Sequence, residues 1–284
     1  MSDLPDGNST FGALVNGIDD LFMYGSLDPM QVLERTADWR RTVPDSVEPD
    51  LVEVLMFEAW AWSARGFGAW NSIAPEGRAL FAYREALAAA SLEETAERAG
   101  DNPLWYQLSI DVGRDRSINA DKLRSVFDTE IVRVRNYLPL YRSMLSALMP
   151  RWGGSYDQVD AFINEMTNKP GGRDVEMYAR LYWIYANLER DDINLFGASH
   201  AAWPTMKIGF RALTQRYASS DYVLNAFAKF ACLDEDGAQY RELRPLLEKR
   251  SSAAAWSEKT SIDSCDKELR AAQPTSHTQA LIGQ

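Results

Sequence analysis

Histidine and cysteine, the residue types that most often carry catalysis or hold metals, are scarce in this chain. There are two of each: His200 and His277, Cys232 and Cys265. His277 falls in a polar C-terminal stretch, which leaves His200 as the imidazole of the part that reads as folded. A zinc site of the usual His/Cys kind cannot be built from this set. A Ser-His-Asp or Cys-His arrangement would have to pass through His200. No G-x-S-x-G, P-loop, dinucleotide-binding glycine pattern or EF-hand loop occurs. Carboxylates are plentiful, and two acids with pKa values pushed apart in one pocket would suffice for hydrolysis. No pair declares itself by spacing.

The remaining candidates pair arginine with aromatic rings. Trp60, Trp62, Arg65 and Trp70 lie among Gly66 and Gly68. Trp and Arg together suit an aromatic-lined binding pocket or an interaction hot spot, and suit equally the filling of space between helix pairs. Arg151-Trp152-Gly153-Gly154 reads two ways as well. The glycines can turn backbone amides toward an anion beside Arg151, or they make a helix–helix junction plugged by Trp152. Arg65 and Arg151 could share one acidic partner, for which Glu58 and Asp157 are the candidates. Tyr182 and Trp183, with Tyr178 and Tyr185, are too ring-rich for one narrow stripe. They bury both sides of a central helix or line a concave groove. His200, without a nucleophile beside it, reads as structural or solvent-facing near a helix start. Asp234-Glu235-Asp236-Gly237 reads as a capped turn between helices. Those acids, with Glu93, Glu94 and Glu97, could also attract a cation or a basic protein; Arg40-Arg41, Arg114 and Arg116, and Arg133 with Arg135 read as solvated faces.

The elements that must position these groups have a helical period. Phe11, Leu14, Val15, Ile18, Leu21 and Phe22 follow i, i+3, i+4, i+7 spacing up to Gly25. Asp28-Pro29, Pro49, Pro75 and Pro139 mark further helix starts. Ser91 with Glu94 has the form of a capping box opening another short helix. Helices near 174–188, 201–217, 221–233 and 237–248 follow, with no period-2 run bounded by hairpin turns. The reading is all-α: stacked antiparallel helix pairs, a TPR-like helical repeat of α-solenoid kind. Residues 1–9 read as a flexible N-terminus, 10–256 as a single TPR-like domain, and 257–284 as a weakly ordered tail.

The chain has 284 residues with 30 Lys+Arg against 41 Asp+Glu, a formal charge of −11. Nucleic acid and anionic membranes are disfavoured partners for such a balance; a basic protein is a compatible one. No apolar run reaches membrane-spanning length. Two distant cysteines indicate no disulfide framework, which makes a reducing cytoplasm the default compartment.

Three stretches resemble a bacterial TPR-like family of uncharacterised function. They are Ala59-Trp60-Ala61-Trp62-Ser63-Ala64-Arg65-Gly66, close to an A-W-x-x-R-G signature; Pro150-Arg151-Trp152-Gly153-Gly154-Ser155; and Trp203-x-x-Met206-x-x-Gly209-Phe210 followed by Asn225-x-Phe227-Ala228-x-Phe230-Ala231-Cys232. The likeness covers roughly residues 30–256 and departs from the family pattern at Ala218 and at Leu233–Asp236. It implies a TPR-like helical fold and no particular reaction.

The expected function is therefore a soluble helical-repeat protein that binds a protein or peptide partner. The candidate contact residues are Trp60, Trp62, Arg65, Trp70, Arg151, Trp152, Tyr182 and Trp183, with no cofactor. The alternatives are a cytoplasmic immunity-type inhibitor of a basic toxin and a carboxylate-based hydrolase. An enzyme is the less favoured class.

Overall fold

The computed structural model describes residues 4–25, 27–189, 194–257 and 259–271; His277 lies outside them. Among the described residues the chain is all-α: fourteen α-helices, packed in pairs, and one two-residue hairpin. It divides into two compact units, Met1–Val159 and Asp160–Gln284.

The first unit holds α1 (Thr10–Tyr24), α2 (Pro29–Thr42), α3 (Glu48–Arg65), α4 (Pro75–Ala99), α5 (Pro103–Asp115), α6 (Ala120–Ile131), α7 (Leu138–Ala147) and the start of α8 (Tyr156–Thr167). Proline in the first turn opens α2 through α5 and α7, where its missing N–H is no loss. Ser9, Asp28, Asn102 and Asn119 side chains cap free amides at the starts of α1, α2, α5 and α6. The Ser91–Glu94 pattern opens no new helix. Ala88, Ala89 and Ala90 carry α4 through without a break, and the Thr95 hydroxyl donates back to the Ser91 carbonyl at 2.8 Å. α4 packs along α3, and α1 and α2 lie against α3. Leu51, Val54, Leu55, Ala88, Leu92, Leu104, Leu108 and Val112 fill the space between them. Arg40 is not on a solvated face: it bridges α2 to α3 through Asp50 and Glu53, each at 2.7 Å, and Arg98 of α4 joins Asp50.

The second unit holds the rest of α8, the strands β1 (Asn168–Lys169) and β2 (Gly172–Arg173), α9 (Val175–Leu188), α10 (Leu195–Ala198), α11 (Trp203–Arg216), α12 (Asp221–Leu233), α13 (Gly237–Leu247) and α14 (Ile262–Ala271). β1 and β2 pair antiparallel, Asn168 opposite Arg173. α9 packs closely on α11 because Gly209 has no side chain: a Cβ there would come within 2.0 Å of the Val175 carbonyl oxygen. Phe210 stacks on Phe227 and Phe230, with Trp183 and Trp203 against the same group. The Asp234–Gly237 segment is a capped turn, as expected: Asp236 caps α13 through the Gln239 amide and also accepts from Trp203 Nε1 and Lys207.

Two expectations for the C-terminal part are corrected. Residues 262–271 form a helix rather than a weakly ordered tail, and Cys265 is buried and bonded to Cys232 of α12. The segment's polar composition hides a stripe, Cys265 and Leu269, that faces α12 and α13. Arg244 and Tyr240 of α13 hold Asp266 at 2.9 and 3.0 Å. A buried disulfide removes the ground on which a reducing compartment was expected. No helix among the described residues is long and apolar enough to cross a membrane.

The bond closes a loop with a sequence separation of 33. Cys265→Ser should therefore lower stability by about 2–4 kcal/mol. Thermal melts with and without dithiothreitol test this: the reductant should lower the wild-type Tm and leave the variant's unchanged. A wild-type Tm insensitive to reductant under conditions that free both thiols would overturn it.

Candidate functional site

The polar centre of the first unit is Arg114 on α5, which the sequence places on a solvated face and the structure buries. Its Nε donates to Asp115 and its Nη1 to Asp111, both at 2.8 Å, with Ser146 of α7 at 3.1 Å. Ser143 donates to the second Asp111 oxygen at 2.7 Å. Trp62 Nε1 donates to the second Asp115 oxygen, also at 2.7 Å. The Trp152 ring lies 4.9 Å from the guanidinium carbon. Burial works against the Arg114 charge, but Asp111 and Asp115 outweigh it and hold its pKa above the ordinary value.

More acid converges here than one guanidinium can neutralise. Glu85 of α4 is 1% exposed, and neither of its carboxyl oxygens has a hydrogen-bond partner. Desolvation, reinforced by the Asp115 charge, pushes its pKa up to about 9. Desolvation raises Glu58 of α3 as well, with Asp111 and Glu85 adding to the effect. Asp19 of α1 is raised to about 6 by burial, against the pull of Arg142. Glu85 is thus a neutral carboxylic acid at neutral pH and Glu58 is pushed the same way, while Asp111 and Asp115 make the ion pairs to Arg114.

Over this centre the predicted aromatic and arginine residues form a connected face. Trp62 contacts Phe67, Phe81 and Trp152 with ring centroids 5.8, 5.5 and 6.0 Å apart. The Arg65 guanidinium lies 4.7 Å from Trp62 and 5.7 Å from both Trp70 and Phe81. Arg65 has found rings and the Gly66 carbonyl, at 2.7 Å, instead of Glu58 or Asp157. Arg78 of α4 lies 5.8 Å from Trp70. Phe67 and Trp70 remain 58% and 52% exposed. Trp60 belongs to a separate contact, under Arg84 at 3.9 Å. The sequence reading missed Arg78, Phe67 and Phe81. Their signal was the i, i+3 spacing Arg78-x-x-Phe81 facing a Trp across a glycine-containing loop.

The Pro150–Ser155 motif is architectural at its glycines. The Gly153 amide donates to the Pro150 carbonyl at 3.1 Å and the Gly154 amide to the Met149 carbonyl at 3.2 Å, so both are used inside the turn rather than offered to an anion. Gly153 takes a left-handed φ of 88°. A Cβ on Gly154 would stand 2.1 Å from the Leu148 carbonyl oxygen. The turn sets Trp152 against Trp62 and Arg114, while Arg151 is exposed.

In the second unit Tyr182 and Trp183 are buried and line no groove. Tyr182 donates to Asp160 at 2.6 Å, and Trp183 packs on Tyr222 and Phe210. Asp160, itself buried, also accepts from the His200 amide and contacts His200 Nδ1, both at 2.9 Å. A buried carboxylate thus orients an imidazole whose side chain is 72% exposed. The Ser199 hydroxyl donates to the Leu195 carbonyl at 2.7 Å, so it is turned into its own helix end.

Two measurements check this account. Glu85 binds its proton up to about pH 9 when folded, against 4.5 as the ordinary value. The folded state therefore holds more protons than the unfolded state between those limits, and stability falls as pH rises through the window. Glu85→Gln should flatten that fall, which approaches about 1.4 kcal/mol per pH unit for one proton. It should also make the variant more stable than wild type at pH 8. Parallel wild-type and variant stability curves from pH 5 to 8.5 would show the assignment to be wrong. Separately, Gly154→Ala should cost about 2–3 kcal/mol, because the added methyl meets backbone; a denaturation midpoint equal to wild type would rule out the crowding. No protein-family model, curated protein or solved structure matches this chain.

Proposed function

We propose that this is a helical-repeat protein that binds a protein or peptide partner, and that Trp62, Arg65, Phe67, Trp70, Arg78 and Trp152 form its contact face. One observation carries this reading: Phe67 and Trp70 are more than half exposed, yet stand in a network of rings and guanidinium groups anchored on buried Arg114 and Asp115. Exposed large rings held rigid by what lies beneath them have the composition and stiffness of a binding hot spot. An apolar groove of about 300 Å³ on α2, lined by Leu27, Val32, Trp39 and Val52 among others, shares no residue with this face.

An immunity-type inhibitor of a basic toxin would need acidic side chains at the contact, and the arginines on this face do not favour it. The hydrolase reading draws on Glu58, Glu85, Asp111 and Asp115 meeting at one place with divergent proton affinities. Glu85 is enclosed by helix packing and both Asp111 and Asp115 are bonded to Arg114, so these acids serve the fold better than a substrate.

Selection of a displayed peptide library on the intact protein tests the proposal. Peptides of micromolar affinity should be recovered and should lose about tenfold or more on a folded Phe67→Ala/Trp70→Ala variant. Selection that returns no binder, or binders indifferent to both rings, would refute it.

A further inference from the structure

The chemistry of the partner can be argued from which charges on this face are left unanswered. Several arginines that approach the interior have carboxylates: Arg40 has Asp50 and Glu53, Arg98 has Asp50, Arg114 has Asp111 and Asp115, and Arg244 has Asp266, whereas Arg84, like Arg65, lies over an indole ring and donates to a main-chain carbonyl. Among the described residues Arg65 and Arg78 make no ion pair, although acids outnumber bases by 41 to 30 in the sequence. Asp115, which bonds Trp62 of this face, is already committed to Arg114. Glu76, two residues before Arg78, is exposed and bridges neither arginine.

The two guanidinium groups are nonetheless held in place. Both lie over the ring of Trp70, at 5.7 and 5.8 Å, and Arg65 also lies over Trp62 at 4.7 Å. A guanidinium held against indole rings keeps its N–H groups for hydrogen bonding and loses little further freedom when it bonds. Arg65 uses one such group on the Gly66 carbonyl. The remaining N–H groups have no acceptor among the described residues and belong to the same face as exposed Phe67 and Trp70. A carboxylate with an apolar neighbour satisfies both parts of this face, and Arg binds carboxylate as a two-pronged fork.

Resting on the partner-binding reading above, we propose that the α3–α4 aromatic face takes an acidic peptide segment. In it, Asp or Glu side chains alternate with large apolar ones, the carboxylates seat on Arg65 and Arg78, and the apolar groups seat on Phe67 and Trp70. This inverts what net charge alone suggests. The protein as a whole is acidic, and its overall field would draw basic partners, but this face presents the opposite sign over a short range.

Fluorescence anisotropy with the full chain tests it. The probes are a short fluorescein-labelled peptide alternating Asp or Glu with Leu or Phe, its Asn/Gln counterpart, its Lys/Arg counterpart, and a thymidine oligonucleotide. The acidic peptide should bind, should weaken as salt rises, and should lose about tenfold or more on Arg65→Gln/Arg78→Gln. The uncharged counterpart should bind about tenfold more weakly and not distinguish the variant. An unchanged melting curve for the variant shows that it folds. Should it not fold, Arg65→Lys/Arg78→Lys keeps the charge but not the fork, and should give a partial loss. Equal binding of acidic and uncharged peptides, or stronger binding of the basic peptide or the oligonucleotide, overturns the acidic assignment and leaves the library result to decide partner binding. No binding by any probe overturns it as well.

Discussion

The first unit is organised by the burial of one charge. Arg114 lies inside helix packing, and an unpaired guanidinium there would cost several kcal/mol. Asp111 and Asp115 on the same helix meet that cost, but their other oxygens need donors too. Ser143 and Ser146 from α7 and Trp62 from α3 supply them or share the guanidinium. A single ion on α5 thereby sets where α3 and α7 stand, and Trp152, placed by the turn after α7, closes over it. Removing one member leaves its partners unsatisfied inside the fold, so the members are coupled rather than additive.

The acids that Arg114 cannot reach take a different course. Glu85 has no donor within reach, so holding a proton is its way to remain buried, and burial with the charges of Asp111 and Glu85 pushes Glu58 in the same direction. The result is a centre whose net charge depends on pH from the mildly acidic range upward. The aromatic face rests directly on it, because Trp62 belongs to both: its indole N–H is spent on Asp115 and its ring on Arg65, Phe67 and Phe81. Rigidity at the surface is inherited from hydrogen bonds below it.

The second unit solves the same problem with rings and covalent chemistry. The aromatic residues that suggested a groove are packed against one another, and Tyr182 spends its hydroxyl on Asp160. That carboxylate in turn orients His200 toward solvent. Gly209 lets α9 and α11 close, and the Cys232–Cys265 bond fastens α14 over α12. Two of the three motif blocks thus owe their glycines to close backbone approach.

The elements were legible in the sequence because they depend on neighbours a few residues away. Apolar period, proline in the first turn and caps such as Asp28 are local properties, and they marked α1 and the starts of α2, α3, α4 and α7 close to where these are observed. Also legible was the local grouping of Trp62, Arg65 and Trp70, which lie within nine residues; that Trp152 joins them follows only from the turn after α7. Tertiary structure alone decided which arginine is buried. Arg114 and Arg116 look alike in the chain, and only the approach of Trp62, Ser146 and Trp152 from other helices takes one of them out of water. The same holds for Glu85, whose proton is a consequence of enclosure, and for Cys265, whose partner is 33 residues away. Periodicity records which face of a helix is apolar; it does not record what that face will meet, and the free energy of a buried charge or thiol depends on what it meets.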